Sequence, residues 1–408
     1  MKKILSLLLA LVMAFALVAC GNNTSNTGNT GNTGNTGNTG DTGDTTGTSE
    51  VPDSIKIGVM GTMTGEQALD GENIQAAIAL VQQELEEAGG LQVGDKLVQV
   101  EFVFGDTEAK PEQAVNVMQR LINQEGVVAV VGPNNSSDCL AAFEISQAAG
   151  IPAITNCGTN VQVTQIGDYC FRSCFIDSFQ GQVMAQYAVE EFGAQTAAVL
   201  YNNGDAYSTG LQEAFVAAFE ELGGTIVANE AFAGTDVKDY SAQLTTIMNS
   251  DPDVFFLPNQ NNMVPMIVQQ ARTMGIDCQL LGCDSWDYDF LPELIGVDLC
   301  AGTVYTSGYS NGIETAQDFY NAFVELNDFE PGFPSAMTYE ATWIVLNAIQ
   351  TAQSVDGAAI RDAMAATDMD LPTGHFTFDE DRNPIKACAI VEYDENGQRV
   401  YVTSVEPS

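Results

Sequence analysis

Short apolar runs alternate with amphipathic stretches along this chain from about residue 55 onward. The run Val127–Val131 is too short for a helix and is made largely of β-branched residues, which is typical of a buried parallel strand. The stretch from Glu72 to Ala88 repeats its apolar residues at helical spacing and stops at two glycines, as an amphipathic helix does. Regular alternation of the two patterns predicts right-handed βαβ crossovers and doubly wound parallel sheets.

The alternation continues to residue 326. Further strands are predicted at residues 55–60, 98–104, 151–155, 196–200, 225–227, 254–257, 279–282 and 303–306; further helices are predicted after Pro111, before Gly150, and at 180–192, 211–222, 240–249, 264–274 and 314–326. VVGPNNSSD at 130–138 has a weak echo in FFLPNQNNMV at 255–264. Two similar lobes that face each other with these loops inward would form a cleft at the domain boundary.

Two polar loops follow neighbouring predicted strands, Asn134–Asp138 after the first and Asn156–Thr159 after the second. In a parallel sheet both loops fall at the carboxyl edge, where helix N-termini favour an anion. The pattern therefore predicts a site for a carboxylate or a phosphate. The alternative is that Ser136 or Ser137 only caps a helix and that Thr159 only closes a turn.

Asp284 follows a third predicted strand. In a cleft that already suits an anion, this carboxylate would supply the second pole of a site for a zwitterion. The alternative is that Asp284 begins the next turn as a cap.

The chain begins with two lysines and an apolar run to Ala19, which predicts a secretory signal peptide at residues 1–19. The run is short for a membrane-spanning helix, which needs roughly 20 apolar residues. The end of the run, Leu17 to Gly21, resembles the lipobox of bacterial lipoproteins. That resemblance implies cleavage before Cys20, a lipid on its thiol, and an extracytoplasmic protein anchored to the bacterial cell membrane. A coincidental cysteine is the alternative.

Repeated Gly-Asn-Thr triplets follow, and they predict that residues 20–54 form the lipidated cysteine and a flexible tether with a reach of about 30 Å.

The formal net charge is −41, with 13 Lys+Arg against 54 Asp+Glu. Without a basic stripe, nucleic acid and anionic lipid head groups are poor partners for this chain. A single histidine and the lack of a C-x-x-C pair argue against a zinc site, and no metal or cofactor is expected. Pairing among the other eight cysteines is left open.

Six segments, in their order and spacing, resemble the type I periplasmic binding proteins, specifically the branched-chain amino acid (leucine/isoleucine/valine) binding lipoproteins of ABC importers. The segments are IKIGVMGTMTG at 55–65, VVGPNNSS at 130–137, IPAITNCGTN at 151–160, FRSCFIDSFQGQ at 171–182, AVLYNNGDAYSTG at 198–210, and QQARTMG with LLGCDSWD within 269–287. The resemblance implies an α/β fold of two Rossmann-like, doubly wound lobes joined by a hinge. We place the N-terminal lobe at 55–174 plus 304–372 and the C-terminal lobe at 175–303 plus 373–408.

The resemblance also implies roles for individual residues. Ser136, Cys157 and Thr159 match the positions that hold the ligand carboxylate, Tyr207 matches a tyrosine of the second lobe, and Asp284 matches a glutamate that pairs with the ligand ammonium. Two positions depart from the family pattern: Gln260 replaces an aromatic contact, and Asp70 replaces a tyrosine of the side-chain pocket. Both departures argue against a purely aliphatic ligand. Asp70 facing solvent is the alternative for that residue, and Trp286 is either a pocket wall or a surface aromatic.

The function implied by the resemblance is that of a solute-binding protein, not an enzyme. It would bind an amino acid, close around it, and deliver it to an ABC permease in the membrane. A partner-dependent sensor of the same fold is the alternative. A third hypothesis rests on the sequence from Gly308 to Gly312, which fits the G-x-S-x-G nucleophile elbow of serine hydrolases with Ser310 as nucleophile and His375 downstream. The resemblance favours a simple turn there.

Overall fold

The computed structural model describes residues 51–407. The predicted signal peptide, Cys20 and most of the predicted tether lie outside the described residues. The strands are Ser54–Gly61 (β1), Leu91–Val93 (β2), Lys96–Asp106 (β3), Ala129–Val131 (β4), Ala153–Thr155 (β5), Cys170–Arg172 (β6), Thr196–Asn202 (β7), Thr225–Phe232 (β8), Val254–Phe256 (β9), Gln279–Gly282 (β10), Val304–Ser307 (β11), Asp368–Leu371 (β12), Gly374–Thr377 (β13), Cys388–Tyr393 (β14) and Arg399–Val405 (β15).

Helices connect most of these strands. They are Ala68–Ala88 (α1), Pro111–Arg120 (α2), Ser136–Ala149 (α3), Asp177–Phe192 (α4), Ala206–Glu221 (α5), Ser241–Ser250 (α6), Val264–Met274 (α7), Leu291–Ile295 (α8), Val297–Cys300 (α9), Gln317–Leu326 (α10), Phe333–Ala352 (α11) and Gly357–Ala365 (α12). Each predicted strand and helix up to residue 326 is present, with end points that differ by a few residues, whereas β2, β6, α8 and α9 were not predicted. The sequence offered no prediction for the elements after residue 326.

The first sheet has the order β2-β3-β1-β4-β5-β6. Its strands pair in parallel, except that β2 and β3 are antiparallel. Along β4, Ala129 and Val131 pack in one buried cluster with residues of α11, whereas Val130 packs in another with residues of α2 and α3. Buried side chains on both faces of a strand are what a doubly wound sheet requires.

The second sheet has the order β15-β14-β11-β10-β9-β7-β8. Strands β7 to β11 pair in parallel, and β14 and β15 add an antiparallel edge. Side chains from α4, α5, α6 and α7 share one buried cluster with the strands of this sheet. The molecule is therefore an α/β protein of two Rossmann-like lobes, as the sequence predicted.

The chain passes between the two sheets three times: between β6 and β7, between β11 and α11, and between β13 and β14. Strand β11 pairs within the second sheet, and Phe376 of β13 packs in a cluster of the first sheet. The predicted N-terminal lobe began its second segment at residue 304, in β11, and the predicted C-terminal lobe began its second segment at residue 373, before Phe376. The two contacts therefore concern only the ends of these predicted ranges, and the ranges themselves stay a prediction. Three adjacent connections suit a hinge, because relative motion of the lobes then bends only short segments.

Within residues 51–407, no helix combines the length and apolar character that crossing a membrane requires, and no cluster of three or more His, Cys, Asp or Glu side chains is arranged to hold a metal ion. All eight cysteines in this part of the chain are free thiols. Six of the eight are buried, where a thiol behaves as a small hydrophobic group.

Candidate functional site

A cavity lies between the lobes, where the carboxyl ends of strands from both sheets meet. Its accessible volume is about 30 Å³, which is enough for more than one water molecule, since one water needs roughly 10–15 Å³. The cavity is small, and most of its lining residues carry a polar side-chain group. Its lining residues are Asp70, Asn134, Asn135, Ser136, Cys157, Tyr207, Gln260, Asp284, Ser285, Tyr288, Phe333 and Pro334.

The turn after β4 positions the first-lobe side of the cavity. Gly132 has a φ of +94°, and a Cβ at this position would lie 2.0 Å from the carbonyl oxygen of Met60. Only glycine permits that conformation and that approach. The chain then enters α3 with Asn134, Asn135 and Ser136 in the cavity wall.

The two predicted loops of the first lobe do lie side by side. The backbone N–H of Asn160 donates to Ser136 Oγ at 3.2 Å, and the N–H of Gly158 donates to Thr155 Oγ1 at 2.8 Å. The interpretation of Ser136 or Ser137 as a mere cap is wrong, because the N-cap position of α3 is Asn135 and makes no side-chain cap bond. Ser136 instead joins the two loops at the N-terminus of α3, where amides favour an anion.

Cys157 lines the cavity beside Ser136, but Thr159 does not. The Thr159 side chain is fully buried, and its Oγ1 makes no hydrogen bond within 3.5 Å among residues 51–407, although it lies close enough to the Asp177 carboxyl to oppose the rise that burial causes in the pKa of that group. Its backbone carbonyl accepts from the N–H of Asp177 at the start of α4, so Thr159 secures one of the connections between the lobes.

Asp284 forms the second-lobe side of the cavity. It begins a short 3-10 helix, Asp284–Trp286, directly after β10. Its Oδ1 accepts from the hydroxyl of Tyr207 and, at 3.1 Å, from the N–H of Ser285. Burial raises the pKa of Asp284 to about 7, although the hydrogen bonds from Tyr207 and Gln180 oppose that rise.

Neither lysine nor arginine is among the cavity-lining residues of the described chain. Asp284 therefore has no cationic side chain beside it in the cavity, and its partners are neutral donors. A buried carboxylate in this state gains free energy when a ligand brings an ammonium group.

Asp70 is buried, with 5% of its surface exposed, so the solvent-facing alternative is wrong. Its Oδ1 accepts from Asn261 Nδ2 at 2.7 Å and from the hydroxyl of Tyr288, and its Oδ2 accepts from Asn134 Nδ2 at 3.0 Å. Asn261 and Tyr288 follow strands of the second sheet, so these bonds cross from one lobe to the other. Burial raises the pKa of Asp70 to about 6 against the effect of these donors.

Trp286 is not a wall of the cavity, and it is not a surface aromatic. Its side chain is fully buried in the cluster of the second lobe, and its indole N–H donates to the carbonyl of Leu257 at 3.3 Å. The ring packs against Gly282, where a Cβ would lie 2.6 Å from the indole. Trp286 therefore supports the turn that carries Asp284, without reaching the ligand space.

Several lining residues were not predicted: Asn134, Asn135, Ser285, Tyr288, Phe333 and Pro334. The two asparagines stand in the polar loop that the sequence singled out, and Ser285 is next to Asp284. Phe333 and Pro334 begin α11, about two hundred residues from the first-lobe loops in the chain. No local pattern marks such a pair, because only the return of the chain to the first lobe brings it to the cavity.

A second set of contacts joins the lobes at the start of α5. Ser137 Oγ donates to Asp205 Oδ1 at 3.1 Å and accepts from the N–H of Ala206 at 3.2 Å. Asn160 Nδ2 donates to the carbonyl of Ala206 at 2.9 Å, and Gln260 Nε2 donates to Asp205 Oδ2 at 3.1 Å. Gln260 therefore both lines the cavity and orients the aspartate that holds the lobes together.

Replacing Ser137 by alanine is expected to weaken ligand binding roughly thirtyfold. The substitution removes two hydrogen bonds that exist only while the lobes are in contact, and each contributes about 1 kcal/mol. Titration calorimetry with a bound amino acid would measure the loss. The control is Thr245→Ala, which removes an exposed hydroxyl bonded only within α6. An unchanged dissociation constant in Ser137→Ala would contradict the role of this contact in closure.

A family model described as periplasmic binding protein matches residues 54–398 of the chain. The chain belongs to the periplasmic binding protein family. Among solved structures, a leucine binding protein LivK of Thermotoga maritima is similar, with a TM-score of 0.81 and 30% identity over 86% of this chain and 99% of that one. A branched-chain amino acid transporter substrate-binding protein LivJ of Streptococcus pneumoniae, in complex with isoleucine, has a TM-score of 0.80 and 30% identity over 87% of this chain and 100% of that one.

Curated relatives agree with this assignment. An amino acid binding protein of Pseudomonas aeruginosa is 33% identical over 243 residues, which are 59% of this chain and 63% of that relative. The match thus spans just under two thirds of that relative's length. The leucine-, isoleucine-, valine-, threonine- and alanine-binding protein of the same organism is 25% identical over 334 residues, 81% of this chain and 87% of that relative. The predicted membership of the branched-chain amino acid ABC substrate-binding group is confirmed.

Periplasmic binding proteins bind solutes and catalyse no reaction, so the hydrolase hypothesis is set aside. The geometry of the suspected nucleophile agrees with the family. Ser310 Oγ accepts from the N–H of Gly312 at 3.2 Å, whereas His375 contacts Asp370 and Asp368 at 3.0 and 3.4 Å on the surface hairpin. The glycine-flanked serine therefore forms a turn.

Proposed function

We propose that this periplasmic binding protein binds a small α-amino acid in the interlobe cavity. The ligand carboxylate docks on Ser136 and Cys157 at the N-terminus of α3, and the ligand ammonium pairs with Asp284. Tyr207 and Gln260 complete the wall from the second lobe. The observation that carries the proposal is the polarity of the cavity, with anion-binding amides and a hydroxyl on one side and an unpaired buried carboxylate on the other.

Thr159 stays a prediction as a carboxylate ligand. Its buried hydroxyl lacks a partner within the described chain, which leaves it a donor to offer, but it does not line the cavity. The side chain of the ligand lies near Asp70, away from the buried Trp286.

The proposed ligand class agrees with what the relatives are said to bind: isoleucine in the pneumococcal structure, and leucine, isoleucine, valine, threonine and alanine in one Pseudomonas protein. The protein works with an ABC permease, to which the closed form delivers the ligand. A ligand that contacts both lobes stabilises that closed form. We further propose that a lipid on Cys20 holds the protein at the outer face of the cell membrane, on a tether of residues 20–54.

Thermal unfolding of the purified protein with a panel of amino acids and small carboxylates tests the proposal. An amino acid at about 100 times its dissociation constant is expected to stabilise the folded protein by about 2.7 kcal/mol. D-amino acids and the amides of the same amino acids serve as matched controls, since each alters one pole of the zwitterion. Stabilisation by small carboxylates without an ammonium group, and by no amino acid, would contradict the proposal.

A further inference from the structure

The cavity carries one more carboxylate than the backbone of an amino acid needs. Ser136 and the start of α3 suit the carboxylate, and Asp284 suits the ammonium, but Asp70 is a second buried carboxylate in the same wall. Its closest partners, Asn261, Tyr288 and Asn134, are neutral donors. Where a ligand side chain would lie, the cavity thus presents a negative charge without a cation.

Asp70 also has capacity for a further donor. A carboxylate has about four acceptor positions. Oδ1 is occupied by Asn261 and Tyr288, whereas Oδ2 accepts from the amide of Asn134. The Thr62 hydroxyl also lies close enough to lower the pKa of Asp70, but it donates to the carbonyl of Gln67 at 3.1 Å. The Asn134 amide is shared, because its Nδ2 also lies 3.3 Å from Thr62 Oγ1 and 3.2 Å from Asn135 Oδ1. Oδ2 is therefore the acceptor that a ligand group can still engage.

From this arrangement we propose that Asp70 selects amino acids whose short side chain carries a hydrogen-bond donor, a hydroxyl or an amino group, over aliphatic amino acids of the same size. The inference rests on the proposed function, since it presumes that the carboxylate and ammonium occupy the rest of the cavity. It concerns only the side chain of the ligand.

The physical basis is the cost of leaving Asp70 beside an apolar group. An aliphatic side chain would remove water from Oδ2 and return no hydrogen bond, whereas a hydroxyl or amino group replaces the water. Sites built around a buried polar group reject analogues that lack the matching donor far more strongly than apolar pockets reject an added hydroxyl.

Two pairs of amino acids with nearly identical shape test the proposal: L-threonine against L-valine, and L-serine against L-2-aminobutyrate. Titration calorimetry of the wild-type protein is expected to give a dissociation constant for threonine at least about tenfold lower than for valine, with the same order in the second pair. In Asp70→Val the preference is expected to vanish or reverse. Thr342→Val is the control, since Thr342 is a fully buried polar residue outside the cavity that bonds within α11, and its replacement is expected to keep the preference.

The ratio of the two affinities distinguishes selection from a structural role. Loss of the bonds from Asp70 to Asn261 and Tyr288 would disturb closure around every ligand equally and leave the ratio unchanged. Valine binding as tightly as threonine in the wild type overturns the inference about Asp70 and leaves the proposed function standing. A preference that persists in Asp70→Val also overturns it. Binding of no amino acid at all overturns the proposed function, and this inference with it.

Discussion

Replacing Asp284 by alanine is expected to weaken amino acid binding by about a hundredfold or more. Asp284 is the carboxylate of the second lobe, and among the described residues that side of the cavity has no second carboxylate to pair with an ammonium group. Removing one partner of a buried, hydrogen-bonded charge pair costs roughly 2–5 kcal/mol, because the other charge is left without compensation. Each 1.4 kcal/mol is about tenfold in the dissociation constant.

Calorimetric titration of wild type and variant with the tightest-binding amino acid would measure this loss. Asp284→Asn separates charge from shape: it keeps the size and the acceptor for the N–H of Ser285, but it cannot pair with an ammonium ion. We expect it to lose nearly as much affinity as alanine. Asp138→Asn provides the control for loss of a buried aspartate outside the cavity. Full binding by Asp284→Asn would mean that the ligand carries no positive charge at this position.

Much of the fold was predictable because most of its strands and helices have a recognisable local sequence pattern. The apolar run before Gly132 and the turn after it specify β4 and the entry to α3. The elements after residue 326 escaped prediction for a physical reason. Helix α11 has 14 buried residues among its 20, so it lacks the amphipathic pattern by which a surface helix is recognised.

The site was predictable where a polar residue directly follows a recognisable strand or begins a recognisable loop, as Ser136 and Asp284 do. Asp70 shows the limit of that reasoning. A lone aspartate near the start of a helix is usually exposed, and nothing near it in sequence indicates burial. Its partners Asn261 and Tyr288 are 191 and 218 residues away, and only the contact between the lobes brings them together.

The folded protein is expected to be most stable at mildly acidic pH and to lose several kcal/mol of unfolding free energy between pH 4.5 and pH 8. Burial raises the pKa of Asp70 to about 6 and those of Asp138 and Asp284 to about 7, and it also raises the pKa values of Asp177 and Asp205. A pKa difference of one between the folded and unfolded states corresponds to about 1.4 kcal/mol.

The sign follows from which state binds more protons. Unfolded, these carboxyls titrate near 3.8; folded, they hold their protons to higher pH. Between these values the native state binds more protons than the unfolded state, so stability falls as pH rises through about 6 to 7 and then levels off. Most proteins instead lose stability on acidification, because their carboxylates are paired in the native state.

Urea unfolding at pH 4.5, 6 and 8 would measure the trend. Repulsion within a chain of net charge −41 acts in the same direction, so the series is repeated at high salt, which screens surface charge but not buried groups. Asp138→Asn is expected to reduce the loss of unfolding free energy between pH 4.5 and pH 8 by the contribution of one carboxyl group, because an amide cannot ionise at this buried position. Asp168→Asn, at an exposed carboxyl whose pKa is lowered by its contacts with Gln147 and Arg361, is expected to leave the slope above pH 4.5 unchanged. Stability that rises between pH 4.5 and pH 8 at high salt would show that these aspartates are ionised and compensated in the folded protein, and the cavity would then lack the unpaired carboxylate on which the binding of an ammonium group depends.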